Sequence, residues 1–472
     1  MKIAVIGAGA AGMTAAYSLV KKNVSVDIYE ASSDIGGLAR TLSLWNQKVD
    51  IGPHRFFSND KRVNALWLEV IGSDYEMVNR LTRIHYKNDF YSYPLSIFNV
   101  LRNLGIGETT RCLLSYLAEQ FRPTKQDGSF EAWVQRRFGK RLFEIFFKTY
   151  TEKLWGIKCT ELDADFAAQR IKKLSLYEAI KNAALQGKGN KHKTLVDQFA
   201  YPLDGTGVVY ERMARFIKES GNNIYLNTPV YRVTTSNGAV NGIELKDGTG
   251  RQYDHVISSM PYTLMVGRLP EAPVEIKSLA QKLKYRNTVI VYLLVNAVDI
   301  FPDNWIYIHS SDLKMGRITN FRNWVPDLYG DKKKTILAIE YWCNDDDEIW
   351  KSTDSSFIQL ASTEILKTQL LKQGMLESGY VHRIPRSYPV YSKGYKEILK
   401  PIEEYLSSIQ NLSAIGRYGA FKYNNQDHSI LMGLLAAENI ADGAGHKLSE
   451  INTDYETYQE SYIITKSGLL KQ

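Results

Sequence analysis

The chain has 472 residues, of which 44% are hydrophobic and 23% are charged. This composition is close to the globular average, so it excludes a disordered, collagen-like or coiled-coil protein and allows about three domains. The 59 basic and 51 acidic residues leave a net charge of +8, which favours anionic ligands but is too small to predict nucleic-acid binding. The three cysteines form no C-x-x-C pair, so we expect no disulfide framework, no metal site and a cytoplasmic location.

The first thirty residues have the pattern of a βαβ unit. Their hydrophobic runs predict a buried strand over Lys2–Ile6, a helix over Ala10–Lys22 and a second strand over Ser25–Glu30. Gly7, Gly9 and Gly12 lie at the strand-to-helix turn, where glycines permit close approach of the backbone to a pyrophosphate. Glu30 is placed to hydrogen-bond ribose hydroxyls. Because the glycines interrupt the apolar N-terminus, we interpret it as folded core rather than as a signal peptide.

The hydrophobic periodicity then changes along the chain. Helical patterns occur over residues 62–71, 101–118, 130–138, 142–154 and 174–185. Strand patterns return over residues 225–233, 242–245 and 254–257, and again over 287–294, 306–310 and 336–342. The acidic run 345–348 has no spaced partners, so we interpret it as a solvated loop rather than a metal site. No stretch reaches the roughly 18 apolar residues of a spanning helix, so we expect no stable membrane insertion.

These patterns predict an α/β protein with three domains and a C-terminal extension. A Rossmann-type, dinucleotide-binding domain is expected to be discontinuous, over residues 1–60, 196–265 and 405–450. A mainly helical domain is inserted over residues 61–195, and an antiparallel β-sheet substrate domain follows over residues 266–404. Residues 451–472 are expected to form a C-terminal helix or tail.

A glycine fingerprint alone is shared by NAD and FAD proteins, so other motifs have to decide between them. The chain contains Gly36-Gly37-Leu38-Ala39-Arg40-Thr41, Val49-Asp50-Ile51-Gly52-Pro53-His54, Val256-Ile257-Ser258-Ser259-Met260-Pro261 and Ala414-Ile415-Gly416-Arg417. This series resembles the signature of the flavoprotein superfamily that includes UDP-galactopyranose mutase, protoporphyrinogen oxidase and the amine oxidases. The resemblance implies FAD, bound by Gly7, Gly9, Ala10, Gly12, Glu30, Ala31, Gly37, Leu38, Arg40, His54, Val230, Gly416, Arg417, Asp427, His428 and Ser429.

Two regions close to the flavin carry further expectations. The resemblance places His54 against the isoalloxazine ring as a catalytic residue with a positional role. A helix beginning at Gln426-Asp427-His428-Ser429 would aim backbone N–H groups and a positive dipole at the flavin, where they stabilise negative charge on the reduced ring. A histidine in a tight turn is also often only part of the hydrogen-bonded structure.

Other segments resemble the UDP-galactopyranose mutases within that superfamily. They are Gly416-Arg417-Tyr418-Gly419-Ala420-Phe421-Lys422-Tyr423 with Asn424-Asn425-Gln426-Asp427-His428-Ser429, Asn304-Trp305-Ile306-Tyr307 with Arg317, Lys153-Leu154-Trp155 with Gln169-Arg170-Ile171, Phe90-Tyr91-Ser92-Tyr93-Pro94, and Ser387-Tyr388-Pro389. The resemblance implies a nucleoside-diphosphate sugar bound by Tyr93, Trp155, Arg170, Tyr307, Arg317, Tyr388, Tyr423 and Asn425, with Arg170 and Arg317 catalytic. Forked arginine donors and tyrosine hydroxyls suit a diphosphate.

The resemblance also implies a reaction. In the mutases the reduced flavin N5 is a nucleophile at the sugar anomeric carbon, and the sugar recloses with the other ring size, as between UDP-galactopyranose and UDP-galactofuranose for cell-surface polysaccharides. We therefore expect reduced FAD as the active form, with NAD(P)H as an external reductant. Ser96 stands where eukaryotic mutases have a glutamine, and Pro53 follows the bacterial pattern, so the sequence does not identify the base or the sugar of the substrate. It also does not decide whether the chain forms a homo-oligomer.

Alternative interpretations remain for the same residues. A flavin-dependent oxidase or desaturase of the protoporphyrinogen oxidase type would share every FAD-binding residue, and a flavoprotein retained only for binding would lack an intact diphosphate clamp. Arg170 and Arg317 could be surface charges, and the tyrosines could be packing residues. The amphipathic stretch Phe98–Leu117 could form the membrane-facing patch of an oxidase, although we expect it to pack within the helical domain.

Overall fold

The computed structural model describes residues 1–93, 95, 97–165, 198–451 and 462–471. Its chain divides into two compact units that each contain separate chain segments. Unit 1 comprises Met1–Val78, Phe199–Lys284 and Lys396–Gln472, and unit 2 comprises Asn79–Gln198 and Tyr285–Tyr395. Parts of both the expected helical segment and the expected antiparallel segment fall in unit 2. The division into three domains stays a prediction.

Unit 1 is built on a five-stranded parallel sheet. Its strands lie in the order Leu412–Ala414, His255–Ser258, Lys2–Ile6, Ser25–Tyr29 and Asn223–Tyr225. Ile3, Val5 and Ile28 are fully buried in one apolar core with the helices, as expected for a parallel sheet that is covered by crossover helices. The predicted βαβ unit is confirmed, and with it the mixed α/β class.

Helices surround this sheet. Those of unit 1 are Ala10–Lys21, Lys61–Ile71, Val208–Glu219, Tyr262–Arg268, Val274–Lys282, Tyr395–Ser408, Gly416–Gly419 and Gln426–Asp442, with 3-10 turns at Gly37–Ala39 and Leu448–Glu450. The helices Ala10–Lys21 and Gln426–Asp442 approach closely at Gly433, where a Cβ would lie 2.5 Å from the Ala11 carbonyl oxygen. This glycine lets the two helices pack together although they are about 420 positions apart in sequence.

Smaller β elements complete unit 1. They are the three-stranded sheet Val230–Ser236, Ala239–Leu245 and Gly250–Gln252, the hairpins Thr41–Leu44 with Gln47–Asp50 and Tyr462–Thr465 with Gly468–Lys471, and the paired strands Tyr75–Asn79 and Gln198–Pro202. A single strand over residues 225–233 is wrong, because Asn227 has a φ of 52° and the two sides of this turn enter different sheets. The expected C-terminal helix or tail is wrong for residues 462–471, which form a hairpin with Ile464 buried.

Unit 2 contains a seven-stranded sheet. Its strands lie in the order Leu376–Pro389, Tyr285–Val295, Thr335–Cys343, Arg317–Asn320, Trp305–Ile308, Thr82–Tyr86 and Asp89–Ser92. All neighbours are antiparallel except Trp305–Ile308 and Thr82–Tyr86. The last two strands come from a segment that we expected to be mainly helical. They are only four or five residues long, which leaves little alternation to detect in the sequence.

The two faces of this sheet differ in chemistry. Ile306, Ile318 and Ile339 belong to an apolar core that includes the helix Asp354–Lys367. Because side chains alternate along a strand, Tyr307, Arg317 and Glu340 lie on the opposite face. One face is thus a hydrophobic core, and the other presents polar and aromatic groups.

Among the helices of unit 2, those between residues 97 and 155 follow the predicted patterns, whereas Glu348–Lys351 and Asp354–Lys367 were not predicted. The helices are Ile97–Phe121, Phe130–Phe138, Lys140–Phe143, the π-helical turn Glu144–Lys148, Thr149–Trp155, Glu348–Lys351 and Asp354–Lys367, with 3-10 turns at Phe321–Asn323 and Pro326–Leu328. The predicted helix 174–185 lies outside the described residues. Within the described residues, no helix has the length and apolarity needed to cross a bilayer, and no cluster of acidic, histidine or cysteine side chains could hold a metal ion.

Candidate cofactor and substrate sites

The turn between the first strand and the first helix is shaped by glycine. Gly7 has a φ of 98°, and a Cβ there would lie 2.1 Å from the Ser259 hydroxyl. A Cβ on Gly12 would lie 2.0 Å from the Gly7 carbonyl oxygen, which is far inside contact distance. Gly9 differs, because its φ of −81° suits any residue and its Cβ would meet only the Gly37 Cα at 3.7 Å. The fold requires glycine at positions 7 and 12, whereas Gly9 keeps space open.

Three segments that the sequence motifs connect with FAD meet at this turn. The Gly36 N–H donates to the Ala8 carbonyl at 2.8 Å, and the Ser259 N–H donates to the Ile6 carbonyl at 2.9 Å. Gly416 approaches the first helix, since a Cβ there would lie 3.1 Å from the Ala11 Cβ. These contacts bring three of the separated motifs together in unit 1, and their assignment to FAD stays a prediction.

Glu30 fixes the end of the second strand. Its carboxylate accepts hydrogen bonds from the Ala8 N–H at 2.8 Å, the Ser32 N–H at 2.9 Å and the Ser32 hydroxyl at 2.8 Å. The Glu30 carbonyl accepts from the Thr228 N–H at 2.9 Å, two residues before the buried Val230. Glu30 and Val230, both predicted near the adenosine, are thus held by neighbouring backbone segments.

Two helix N-termini in unit 1 have features of an anion site. Neither Gly9 nor Asn425, the residues that precede these helices, caps its helix with a side chain. The first turn of a helix has N–H groups without intrahelical acceptors, and these groups bind phosphates readily. The buried Gln426 Nε2 also has no hydrogen-bond partner among the described residues. Together with the space at Gly9, these donors fit a dinucleotide pyrophosphate and the flavin it carries.

The other predicted residues of this region are held by local contacts. The Arg417 guanidinium donates to the Asn424 carbonyl at 2.9 and 2.7 Å and lies 5.1 Å from the Tyr423 ring centroid. The His428 Nδ1 lies 2.9 Å from an Asp427 carboxylate oxygen, but this buried nitrogen makes no hydrogen bond within the described residues. Asn425 is exposed at the start of its helix. Of the predicted substrate residues, Tyr423 and Asn425 therefore belong to unit 1.

A buried carboxylate that we did not predict supports His54. Asp50 is fully buried and accepts hydrogen bonds from the Thr41 hydroxyl at 2.6 Å, the Tyr201 hydroxyl at 2.8 Å and the Thr206 N–H at 3.2 Å. Burial raises the pKa of Asp50 to about 6, although these hydrogen bonds oppose the shift. The Thr206 hydroxyl in turn donates to the His54 carbonyl at 3.0 Å. Asp50 thereby anchors the loop that positions His54.

In unit 2, three polar side chains form a row across neighbouring strands. Tyr307 lies opposite Arg317, and Arg317 lies opposite Glu340. The Arg317 Nε and Nη2 donate to the two Glu340 carboxylate oxygens at 2.7 and 2.5 Å. Burial by itself lowers the pKa of Arg317, but the Glu340 charge outweighs burial and leaves this pKa raised. Arg317 is therefore a permanent cation whose orientation Glu340 fixes.

Aromatic rings surround this row. Tyr307 lies 5.2 Å from Tyr93 and 5.4 Å from Tyr150, measured between ring centroids. Trp155 lies 6.2 Å from Tyr388. Unit 2 thus contains Tyr93, Trp155, Tyr307, Arg317 and Tyr388, and it adds Tyr150, which we did not identify from the sequence. Arg170 lies outside the described residues.

The loop that joins Tyr307 to Arg317 is held at two points by buried charges. The Lys153 ammonium donates to the carbonyls of Ile308, Ser310 and Met315 at 3.2, 2.6 and 3.3 Å. The Glu364 carboxylate accepts from the Lys314 N–H at 2.6 Å and the Met315 N–H at 2.9 Å. Burial lowers the pKa of Lys153 to about 8. Lys153 and Glu364 therefore set the geometry of the hairpin, and neither role was expected.

Similar proteins fall into the flavoprotein superfamily expected from the sequence motifs. The family profile described as flavin containing amine oxidoreductase matches residues 10–372. A coproporphyrinogen III oxidase of Staphylococcus aureus is 22% identical over 470 residues, which cover 93% of this chain and 98% of that protein. A Klebsiella pneumoniae protein named "Probable UDP-galactopyranose mutase" is 27% identical over 174 residues, which cover 34% of this chain and 43% of that protein.

The fold also has a solved counterpart. A crystal structure of reduced UDP-galactopyranose mutase aligns with a TM-score of 0.84 and 21% identity, and the alignment covers 96% of each chain. At this identity the likeness concerns the fold, and it confirms the mixed α/β architecture with a parallel sheet and surrounding helices.

Replacing Gly9 with valine is expected to remove FAD while the fold stays intact. The protein has room for a Cβ at this position, so the added methyl groups would mainly occupy the pyrophosphate space. The FAD-to-protein ratio after desalting, measured by visible absorbance, should fall strongly, and the far-ultraviolet circular dichroism spectrum should not change. Gly250→Val is the matched control, because a Cβ there meets nothing within 4 Å. Full FAD occupancy in Gly9→Val would place the pyrophosphate elsewhere.

Replacing Lys153 with methionine is expected to loosen the loop at residues 309–316. Three buried carbonyls lose their shared donor, and leaving such groups unsatisfied costs about 1–3 kcal/mol. Hydrogen–deuterium exchange should therefore accelerate in this loop more than in the parallel sheet of unit 1. The control is Lys148→Met, at an exposed position of the same helical run. Equal exchange in wild type and Lys153→Met would show that the contacts do not hold the loop.

Proposed function

Because the chain belongs to the family of flavin-containing amine oxidoreductases, we propose that it is an FAD-dependent mutase of nucleoside-diphosphate sugars, of the UDP-galactopyranose/galactofuranose type. The observation that carries this proposal is the row of Tyr307, Arg317 and Glu340 on the polar face of the sheet in unit 2. A buried, permanently charged guanidinium beside tyrosine rings suits an anionic diphosphate better than a purely apolar substrate.

Residues of unit 1 would hold the cofactor. Backbone N–H groups at the helix following Gly9 would bind the pyrophosphate, and Glu30 would bind the adenosine ribose. The loop anchored by Asp50 and Thr206 would keep His54 in a fixed position. When bound and reduced, the flavin supplies a nucleophilic N5 for the sugar anomeric carbon. We propose that an external donor such as NAD(P)H reduces the flavin.

The role of Arg317 follows from the donors that Glu340 leaves open. An arginine has five N–H donors, and Glu340 engages the Nε and Nη2 edge. Nη1 has no hydrogen-bond partner among the described residues, so its N–H groups can donate to a phosphate oxygen. The fixed guanidinium would then stabilise the charge that develops on the leaving diphosphate. Tyr307, which lies opposite Arg317, would add a hydroxyl contact on the same face.

An oxidase is the second candidate, and one specific observation favours it. The similarity to the coproporphyrinogen III oxidase of Staphylococcus aureus extends over almost the whole of both chains. A carboxylate-bearing substrate could also pair with Arg317, so the polar face alone does not separate the two reactions. They differ in the use of electrons, because an oxidase must begin with oxidised flavin and a mutase of this type must begin with reduced flavin.

The double variant Arg317→Gln/Glu340→Gln is expected to bind UDP roughly tenfold to a hundredfold more weakly, since hydrogen bonds to charged groups contribute about 1.5–3 kcal/mol. Both side chains are changed because Arg317→Ala alone would leave the buried Glu340 unpaired, at a cost of about 3–5 kcal/mol. Calorimetric titration with UDP measures the affinity, and visible absorbance should show unchanged FAD content.

The matched control is Arg83→Gln/Asp303→Asn. Arg83 makes the same two-point pair with Asp303, but it lies opposite Ile306 and therefore on the other face of the sheet. This control should bind UDP like the wild type. If both double variants lose affinity equally, the effect comes from general destabilisation of the sheet and not from the diphosphate contact.

The mutase proposal also requires a redox dependence without net redox change. Dithionite-reduced protein, kept anaerobic, is expected to interconvert UDP-galactofuranose or a related nucleotide sugar with its pyranose form, and the oxidised protein is expected to be inactive. Chromatography of the nucleotide sugars follows the ring-size exchange. Steady oxygen consumption with a porphyrinogen or amine substrate, together with no exchange across a panel of nucleotide sugars, would replace the mutase with the oxidase.

A further inference from the structure

The helical segment Ile97–Phe121 is interrupted at Gly105, which has a φ of 74°, and the part after this kink has an apolar face that no described part of the protein covers. Ile106, Leu113, Leu114, Leu117 and Phe121, which we call the apolar stripe, are all exposed, and Ile106 and Phe121 are 89% and 84% exposed. At 3.6 residues per turn these positions fall within an arc of about 100° and extend over about 22 Å. The expectation that this segment packs within the helical domain is therefore wrong for its outer face.

The inner face of the same helix provides its attachment to unit 2. Cys112 and Glu119 are buried, and the Ser115 hydroxyl accepts a hydrogen bond from the Arg141 N–H at 3.0 Å. The helix is thus apolar on its outer face although its inner face already makes the contacts that hold it. Exposed apolar surface of this extent on one element is a mark of an interaction site.

The charges beside the stripe indicate what it contacts. No charged residue lies within the arc of the stripe. Two exposed basic residues lie beside it: Arg111, about 60° beyond Leu114 around the helix and 3.4 Å from Glu108, and Arg122, directly after the last helical residue. Between residues 97 and 148 the chain has nine Lys and Arg residues against five Asp and Glu residues, so this region contributes much of the positive net charge. An apolar face with basic residues at its edge is the pattern of a helix that lies in the interface of an anionic bilayer.

The shape of the stripe favours lipid over protein. Ile106 and Phe121 are more than four-fifths exposed and the three leucines are 45–60% exposed, so the stripe projects from the surface as a ridge and does not form a groove for a partner. A stable dimer buries roughly 800 Å² on each partner from about 20–30 residues, whereas the stripe has five large side chains. A ridge can insert into the deformable headgroup layer without a complementary surface.

We propose that the apolar stripe docks this protein onto the surface of a membrane that contains anionic phospholipids. Ile106, Leu114 and Phe121 insert at the boundary of headgroups and acyl chains, and Arg111 and Arg122 contact lipid phosphates. The contact is peripheral, since it uses one face of one helix. It is independent of the chemistry assigned to the flavin.

The test is co-flotation of the full-length holoprotein with vesicles of phosphatidylcholine, with or without phosphatidylglycerol. Wild type should float with the anionic vesicles, and Leu114→Gln/Phe121→Gln should lose at least tenfold in vesicle affinity, as expected when two large apolar side chains no longer leave water. Both positions are more than half exposed, so the fold and the FAD content should stay the same. Val274→Gln, at an exposed site in unit 1, is the control and should float like the wild type.

A second variant, Arg111→Gln/Arg122→Gln, tests the basic edge. It should lose affinity for the anionic vesicles, and raised salt should weaken wild-type binding in the same way. Wild type that does not float, or a stripe variant that floats equally well, would overturn the proposal. Analytical ultracentrifugation tests whether the stripe instead binds a second copy of the chain. A wild-type dimer that dissociates in the stripe variant, without vesicle binding, would support that alternative and overturn the membrane proposal.

Discussion

Close backbone approach at the first strand-to-helix turn is the constraint on which unit 1 depends. Gly12 must accommodate the Gly7 carbonyl, and Gly419 must accommodate the Ser258 carbonyl at 2.7 Å from where a Cβ would lie. These contacts bring together segments from the beginning, the middle and the end of the chain. The helices that begin after Gly9 and Asn425 have no side-chain caps. This packing, which only glycine permits, supports the pyrophosphate site that we propose at the turn.

Unit 2 is organised around charges that are buried rather than around glycine. The pair of Arg317 and Glu340 is nearly inaccessible to solvent, and a buried ion pair often adds little stability because both charges lose hydration. Its consequence is geometric, since two hydrogen bonds hold the guanidinium in one plane. Lys153 and Glu364 hold the adjoining loop through backbone groups. Fixed donors of this kind need no rearrangement when an anion binds, which is an advantage for catalysis.

The sequence predicted those features that depend on local pattern. The βαβ unit and the helix that begins at Gln426 follow from periodicity and from residues whose conformational needs are specific. Glu340 and Lys153 escaped detection because their contacts depend on sheet register and on carbonyls that carry no side-chain signal. Asp50 lies within the motif Val49–His54, but its role as a buried hydrogen-bond acceptor depends on tertiary packing, which the sequence does not show.

The helix Ile97–Phe121 shows another limit of sequence patterns. Its outer and inner faces both contain apolar residues, as the exposed Leu113 next to the buried Cys112 illustrates. Periodicity alone cannot say which of two apolar faces meets the core. Only the packing of the neighbouring helices makes that distinction, and the remaining face then becomes available for docking.

A crystal structure of the protein with FAD would test the proposed cofactor site. We expect pyrophosphate oxygens within hydrogen-bond distance of the N–H groups that follow Gly9, and a ribose hydroxyl at the Glu30 carboxylate. We also expect the isoalloxazine ring beside the His54 loop. A pyrophosphate located away from this helix N-terminus, or an adenosine that does not contact Glu30, would show that FAD does not bind as proposed.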